Sequence, residues 1–244
     1  MENRAVTFTG VVKSYADREV LSGINMQVRR GEYTGLVGVN GAGKTTIIKC
    51  LLDFVAIDAG SITIFDQDSS RTRARENIAY LPEKFNPPYY LTGRDFLDYM
   101  TRLYQVPYDQ EKTRTMLEVL DLDISILSRP VRQLSKGMSQ KLGLAACLLS
   151  DKKMLVMDEP MSGLDPRSRA YLKQHLLGLK EKQKTIFFST HLLSDIEALC
   201  DRVVILHAGK IRFAGTPAEC CEQYATEDFE QAYLGCISEK VEEE

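Results

Sequence analysis

On either side of a middle stretch of the chain, short runs of residues alternate apolar with polar or are apolar throughout. "AVTFTGVV" (5–12), "YTGLV" (33–37), "SITIF" (61–65), "MLVMD" (154–158), "TIFFST" (185–190) and "RVVILHAGKIRFAG" (202–215) are rich in β-branched and aromatic residues and predict strands. Between them the period changes. "TTIIKCLLDF" (45–54) directly follows one strand, and "RSRAYLKQHLLGLKE" (167–181) sets Leu172, Leu176 and Leu179 at helical spacing. This alternation predicts an α/β fold.

From about residue 84 to 150 the strand pattern disappears. "TGRDFLDYMTRLY" (92–104), "EKTRTMLEVLDL" (111–122) and "SQKLGLAACLLS" (139–150) read as helices, the first opened by a Thr92-x-x-Asp95 capping box. The expected organisation is therefore an α/β core over 1–83 and 151–222 with a helical insert of about 84–150. Residues 223–244 follow as a short terminal segment, ending in the acidic "EKVEEE", expected to be solvated.

Composition narrows the classes. A chain of 244 residues, 44% hydrophobic, buries a real core. The formal net charge of −3 and the lack of a long Lys/Arg block disfavour a nucleic-acid partner. "MENRAVTFTG" has no apolar stretch of the signal-peptide kind. The longest uncharged apolar run, "LGLAACLLS" (142–150), falls short of the roughly 20 residues a spanning helix needs, so the chain is expected not to cross a membrane by itself. Cys50, Cys147, Cys200, Cys220, Cys221 and Cys236 form no C-x-x-C pair, and free thiols in a reducing cytosol are expected.

The chemistry centres on "GVNGAGKTT", Gly38 to Thr46, which matches G-x-x-x-x-G-K-[ST] between a strand and a helix. Gly38, Asn40, Gly41, Ala42 and Gly43 form a loop whose backbone N–H groups can turn toward phosphate oxygens, aided by the helix N-terminus. Lys44 then reaches the β- and γ-phosphates, Thr45 offers its hydroxyl to Mg²⁺, and Thr46 lies beside them. The competing reading is a glycine-rich turn with an exposed lysine. "MLVMDEP" (154–160) supplies the complement: Asp158, at a strand end, points to the metal, and Glu159 is placed to orient or deprotonate an attacking water. No N-K-x-D guanine clamp is present, which favours ATP.

"RQLSKGMSQKLGLA" stands before "MDEP", and "SGLD" and "STH" follow it. This order resembles the nucleotide-binding subunit of an ATP-binding-cassette (ABC) transporter, over nearly the whole chain. The resemblance implies a P-loop cassette with a RecA-like core, an antiparallel β subdomain and a helical subdomain. It also implies a head-to-tail dimer, expected to be a homodimer, with ATP at its interface. Ser135 and Gly137 of "LSKGM" would close on the γ-phosphate held by the other protomer, although Ser135 also reads as a plain helix cap. Asp165 of "SGLDP" would lie at the dimer interface, and it too reads as an N-cap, followed by Pro166 at N1. His191 resembles the switch histidine at the γ-phosphate. Tyr15 matches the aromatic that stacks on adenine, with a half-buried strand-end tyrosine as the alternative.

Two motifs depart from the common family pattern. Lys136 and Met138 stand in the signature where Gly and Gln are usual. Glu83 in "YLPEKFNPPYY" replaces a glutamine whose oxygen touches Mg²⁺ and the attacking water. "YLPE" with "SKGM" resembles an exporter branch, and "EDFEQAYLG" (227–235) resembles that branch's closing helix. The resemblance further implies a docking groove for an integral membrane permease at Phe85, Pro87, Pro88, Tyr89 and Tyr90. The alternative is that these rings pack under the insert's own helices.

The expected function is thus ATP hydrolysis that powers a membrane exporter, with the chain cytoplasmic and peripheral on the inner membrane face through its permease. The rivals are a soluble cassette ATPase acting on DNA or ribosomes and a non-hydrolysing nucleotide-binding regulator. The lack of coiled-coil insertions disfavours the first. Lys44, Asp158, Glu159 and His191 disfavour the second.

Overall fold

Strand β1 (Arg4–Tyr15) buries Val6, Phe8 and Val11, while β2 (Arg18–Arg29) buries Leu21, Ile24, Met26 and Val28. The two apolar faces coincide because the strands pair antiparallel through a tight turn, with Tyr15 opposite Arg18 and Ala16 at φ 51°. β4 (Ala59–Ile64) pairs with the other edge of β1, and the two-residue β5 (Gln67–Asp68) closes the sheet in the order β2-β1-β4-β5. The structure, a computed structural model, describes residues 3–238, so the expected acidic tail at 239–244 lies outside the described residues.

Two compact units divide the chain: residues 1–76 with 185–244, and residues 77–184. Besides its antiparallel sheet, the first unit contains β3 (Tyr33–Val37), all five of whose residues are buried. β3 runs parallel to β8 (Thr185–Thr190) on one side and to β9 (Arg202–His207) on the other. A strand buried on both faces reads as a continuous apolar run rather than an alternating one. β10 (Lys210–Gly215) returns antiparallel along β9, so the run expected as one strand over 202–215 is a hairpin. Ala208 and Gly209, at φ 47° and 75°, make its turn, because a two-residue loop of this hand needs both residues in the left-handed region. Helices α1 (Lys44–Leu51), α6 (Leu193–Leu199), α7 (Pro217–Gln223) and α8 (Phe229–Ser238) complete the unit.

In the second unit β6 (Ile78–Leu81) pairs parallel with β7 (Met154–Asp158). Helices α2 (Gly93–Leu103), α3 (Gln110–Val119), α4 (Lys136–Leu148) and α5 (Pro166–Lys180) make up most of the rest. The capping box at α2 forms as expected: Asp95 N donates to Thr92 Oγ1 at 3.2 Å, and Thr92 N donates back to Asp95 Oδ2 at 3.2 Å. Leu172 and Leu176 of α5 are buried and Leu179 is half-buried. Gly143 lets α4 lie close to the strand, because a Cβ there would fall 2.8 Å from the Phe85 ring and 2.9 Å from Leu81. Parallel pairing, an antiparallel sheet and a helical segment are all present, as the α/β expectation requires. The expected borders at 84 and 150 mark where strand gives way to helix, whereas the compact units place β6, β7 and α5 together with the helical segment.

Candidate nucleotide site

The residues singled out from the sequence fall into two groups, one in each unit. In the first unit β3 delivers the chain to Gly38, which is buried so tightly that a Cβ would stand 2.3 Å from the Leu206 carbonyl oxygen. Gly41 and Gly43 lie at φ 82° and 112°, the region only glycine enters without strain. Gly43 therefore caps α1 without a side chain, and no acidic residue stands in that helix's first turn. The first N–H groups of α1 are left for a ligand, and the helix adds its partial positive charge there.

Lys44, the first residue of α1, is buried, and its Nζ donates to Gly38 O at 2.6 Å and Val39 O at 3.4 Å. The ammonium thus lies across the loop it is expected to serve, which overturns the exposed-lysine alternative. Thr45 and Thr46 are half-buried in the first turn, Ala42 is buried and Asn40 is exposed. Val37 pairs with Thr190 in the parallel ladder, so the chain leaves β3 and β8 at the same level, with Gly38 after one and His191 after the other. His191 is exposed. Tyr15 ends β1 with 44% of its surface exposed, and Lys13 Nζ stands 5.6 Å from its ring centroid. Part of the ring is therefore open, while the Lys13 ammonium lies over it.

In the second unit the parallel register does similar work. Leu81 pairs with Met157, so Glu83 leaves β6 beside the end of β7, where Asp158 is buried and Glu159 follows. Glu159 takes φ 52°, an uncommon conformation for a residue with a Cβ, which turns the chain sharply at the strand end. Tyr80 reports the local field. Its hydroxyl is pushed up to about 12 by burial, then by the charges of Asp158 and Glu83, so it stays protonated and cannot serve as a base.

Ser135 caps α4, accepting from Met138 N at 3.2 Å, and Gly137 stands where a Cβ would meet Gly163 O at 3.4 Å. Asp165 caps α5, accepting from Ser168 N at 3.0 Å and Ser168 Oγ at 2.6 Å, and Pro166 occupies N1. These bonds, followed by Lys141 Nζ at 3.3 Å, hold the Asp165 carboxyl well below the usual carboxylate range. The capping roles are thus real for both residues. Sequence reasoning missed Tyr80 and Lys141, which only register and packing bring to these groups, and Ser168, which the N-cap spacing from Asp165 to the third helical residue could have found.

The five residues of the expected groove part company. Phe85 is half-buried and packs edge-on to Phe96 at 5.5 Å, over Gly143 of α4, so for this ring the alternative of packing against the insert's own helices holds in part. Pro87 and Pro88 are half-buried, and Tyr89 and Tyr90 are 68% and 73% exposed with rings 5.6 Å apart. All six cysteines are free thiols, and no described helix is long and apolar enough to cross a membrane. Among the described residues no three His, Cys, Asp or Glu gather to hold a metal. The oxygen donors present instead suit a hard cation that shares its coordination with phosphate.

A family profile described as ABC transporter matches residues 21–162. An uncharacterized ABC transporter ATP-binding protein from Synechocystis sp. is 40% identical over 205 residues, 82% of this chain, and the chain spans only 58% of that relative's length. A Nod factor export ATP-binding protein I from Rhizobium sp. (strain N33) is 36% identical over 92% of this chain and 75% of its own. A solved ATP-binding subunit of an ABC transporter superposes with a TM-score of 0.84 at 28% identity, covering 95% of this chain and 99% of that one. The chain belongs to the ABC transporter family, among its ATP-binding subunits.

Proposed function

We propose that this chain binds and hydrolyses ATP to drive an exporter whose membrane-spanning part is a separate permease. One observation carries the reading: α1 opens on a glycine cap that leaves its first N–H groups to a ligand, with buried Lys44 across the loop. Gly38 to Thr46 hold the phosphates, and Tyr15 stacks on the adenine. Thr45 and Asp158, with Glu83, would hold Mg²⁺, which when bound spreads the phosphate charge. Glu159 takes the proton of the attacking water, and His191 contacts the γ-phosphate.

Two copies act together, head to tail, with Ser135, Gly137 and Asp165 of one completing the nucleotide site of the other. Tyr89 and Tyr90, exposed and adjacent, receive the permease, with Pro87 and Pro88 behind them and Phe85 as the packed base of the loop. The chain then lies on the cytoplasmic face of the membrane without entering it. Relatives named for export support that direction. The cargo follows from the permease.

The test is Mg²⁺-dependent phosphate release by the purified chain. Glu159→Gln is expected to lower turnover about 10³-fold while ATP still binds. Unchanged turnover would remove Glu159 from the chemistry, and a wild type without turnover alone or with its permease would leave only a binding module. Co-purification with a multi-span membrane protein, lost when Tyr89 and Tyr90 become Ser, tests the docking assignment.

A further inference from the structure

At the opposite end of β3 from the phosphate loop, the first unit contains a cavity of about 380 Å³. Arg4, Arg29 and Arg202 line it together with Asn25, Gln27 and Thr34, and its lining includes no Asp or Glu. Strand register explains the convergence. Arg4 lies directly opposite Arg29 in the β1–β2 ladder, and Arg202 lies opposite Thr34 where β9 joins β3. Like charges directly opposite each other weaken a strand pair unless something between them offsets the repulsion.

Thr34 supplies an independent observation. It is fully buried, and its Oγ1 has no hydrogen-bond partner in the protein. A buried hydroxyl left unsatisfied costs about 1–3 kcal/mol. Of the neighbouring charges, Arg29 is approached by Glu32 at 3.5 Å and Arg202 donates to Ala214 O at 3.4 Å. An acceptor-rich anion in the cavity would meet the hydroxyl and the guanidinium groups together.

We propose that this cavity is a second anion site, separate from the nucleotide loop, that binds a small phosphate-bearing molecule. Guanidinium groups from three strands and a hydroxyl from a fourth offer more donors than one carboxylate can accept. A phosphate, with three or four acceptor oxygens, uses them.

Pyrophosphate is the probe, titrated by calorimetry at constant ionic strength into the Lys44→Ala chain, which silences the phosphate loop. Pyrophosphate is expected to bind this chain, with affinity falling about tenfold when Arg202→Ala is added. Adding Thr34→Val instead, which keeps the side-chain shape, should weaken it severalfold. Near-UV circular dichroism checks that each variant keeps the fold, and Arg29→Ala stands in if one does not. No binding to the Lys44→Ala chain, or equal affinity in the folded cavity variants, overturns the site. Citrate binding as well as pyrophosphate overturns the assignment to phosphate.

Discussion

The helix N-termini that carry the candidate nucleotide residues are built in opposite ways in the two units. In the first, α1 begins on Gly43 with no side-chain cap and no acid in its first turn. In the second, α4 and α5 close their own termini with Ser135 and Asp165. An open terminus offers its N–H groups to an outside anion, whereas a capped one has already committed some of them. The phosphate loop is therefore a backbone device, fixed by where a Cβ fits. The signature and the turn after "MDEP" are side-chain devices, in which one residue both holds a helix and is proposed to meet the neighbouring nucleotide. Damage to the first should trace to sterics, and damage to the second should mix stability with function.

The largest effect should come from the backbone device. Gly38→Ala places a methyl 2.3 Å from the Leu206 carbonyl oxygen, a backbone atom that moves only if β3 shifts against β9. An overpacked site of this kind costs about 1–3 kcal/mol. Gly41→Ala meets nothing within 4 Å and carries only the strain of φ 82°, about 1 kcal/mol. Thermal melts should therefore rank Gly38→Ala below Gly41→Ala. An equal loss in both would mean that left-handed strain, and not close approach, dictates this loop.

A smaller effect separates the two duties of Ser135. Ser135→Ala removes the cap and should cost about 1 kcal/mol, whereas Ser135→Asp restores an acceptor for Met138 N. Stability should return in Ser135→Asp while ATP-driven dimerisation, read by size-exclusion chromatography with Glu159→Gln, should not, because in the proposed dimer the new charge would face a phosphate. If dimerisation returns with stability, Ser135 is only a cap.

Asp165 tests the same mixture through pH. Its carboxyl titrates below the ordinary range, so its contribution to stability is complete above about pH 4 and is lost as pH falls through the depressed native value. Asp165→Asn keeps a capping side chain but gives up the charge beside Lys141. Denaturation midpoints of wild type and Asp165→Asn should differ modestly at neutral pH and converge in acid. A constant gap down to pH 2 would assign the difference to shape instead of charge.

What could be read from the sequence divides along the same line. Gly38 to Thr46 was legible because each residue type answers a steric or electrostatic demand at a fixed spacing. β2 was not: Gly23, at φ 63°, sits within its run and interrupts the alternation of Leu21, Ile24 and Met26. β6 is only four residues long and borrows its definition from β7. α6 and α7, seven residues each, are too short to establish a period. The packing of Phe85 could be read only as one of two alternatives, because it depends on Gly143, fifty-eight positions along, leaving room on α4. The roles of Ser135 and Asp165 were legible only as pairs of alternatives, since capping and contact across the expected dimer interface draw on the same side-chain atoms.

Glu83 gives the finest test, because it is a side chain placed by backbone register alone. Leu81 opposite Met157 brings it beside Asp158, and Tyr80 feels the charges of both carboxylates. Two negative groups at adjacent strand ends repel a bare triphosphate, and a divalent cation between them and the phosphates reverses the sign of that interaction. Glu83→Gln leaves the reach of the side chain nearly unchanged and removes one charge, so it should bind ATP better without Mg²⁺ and little differently with it. The ratio of ATP affinities with and without Mg²⁺ should then be larger in wild type, by about threefold for a partly solvated charge, a difference of about 0.7 kcal/mol. Fluorescent-nucleotide titration in Mg²⁺ and in EDTA measures both ratios. Equal ratios would mean that Glu83 lies beyond the field of the phosphates, and the proposed metal set would contract to Thr45 and Asp158.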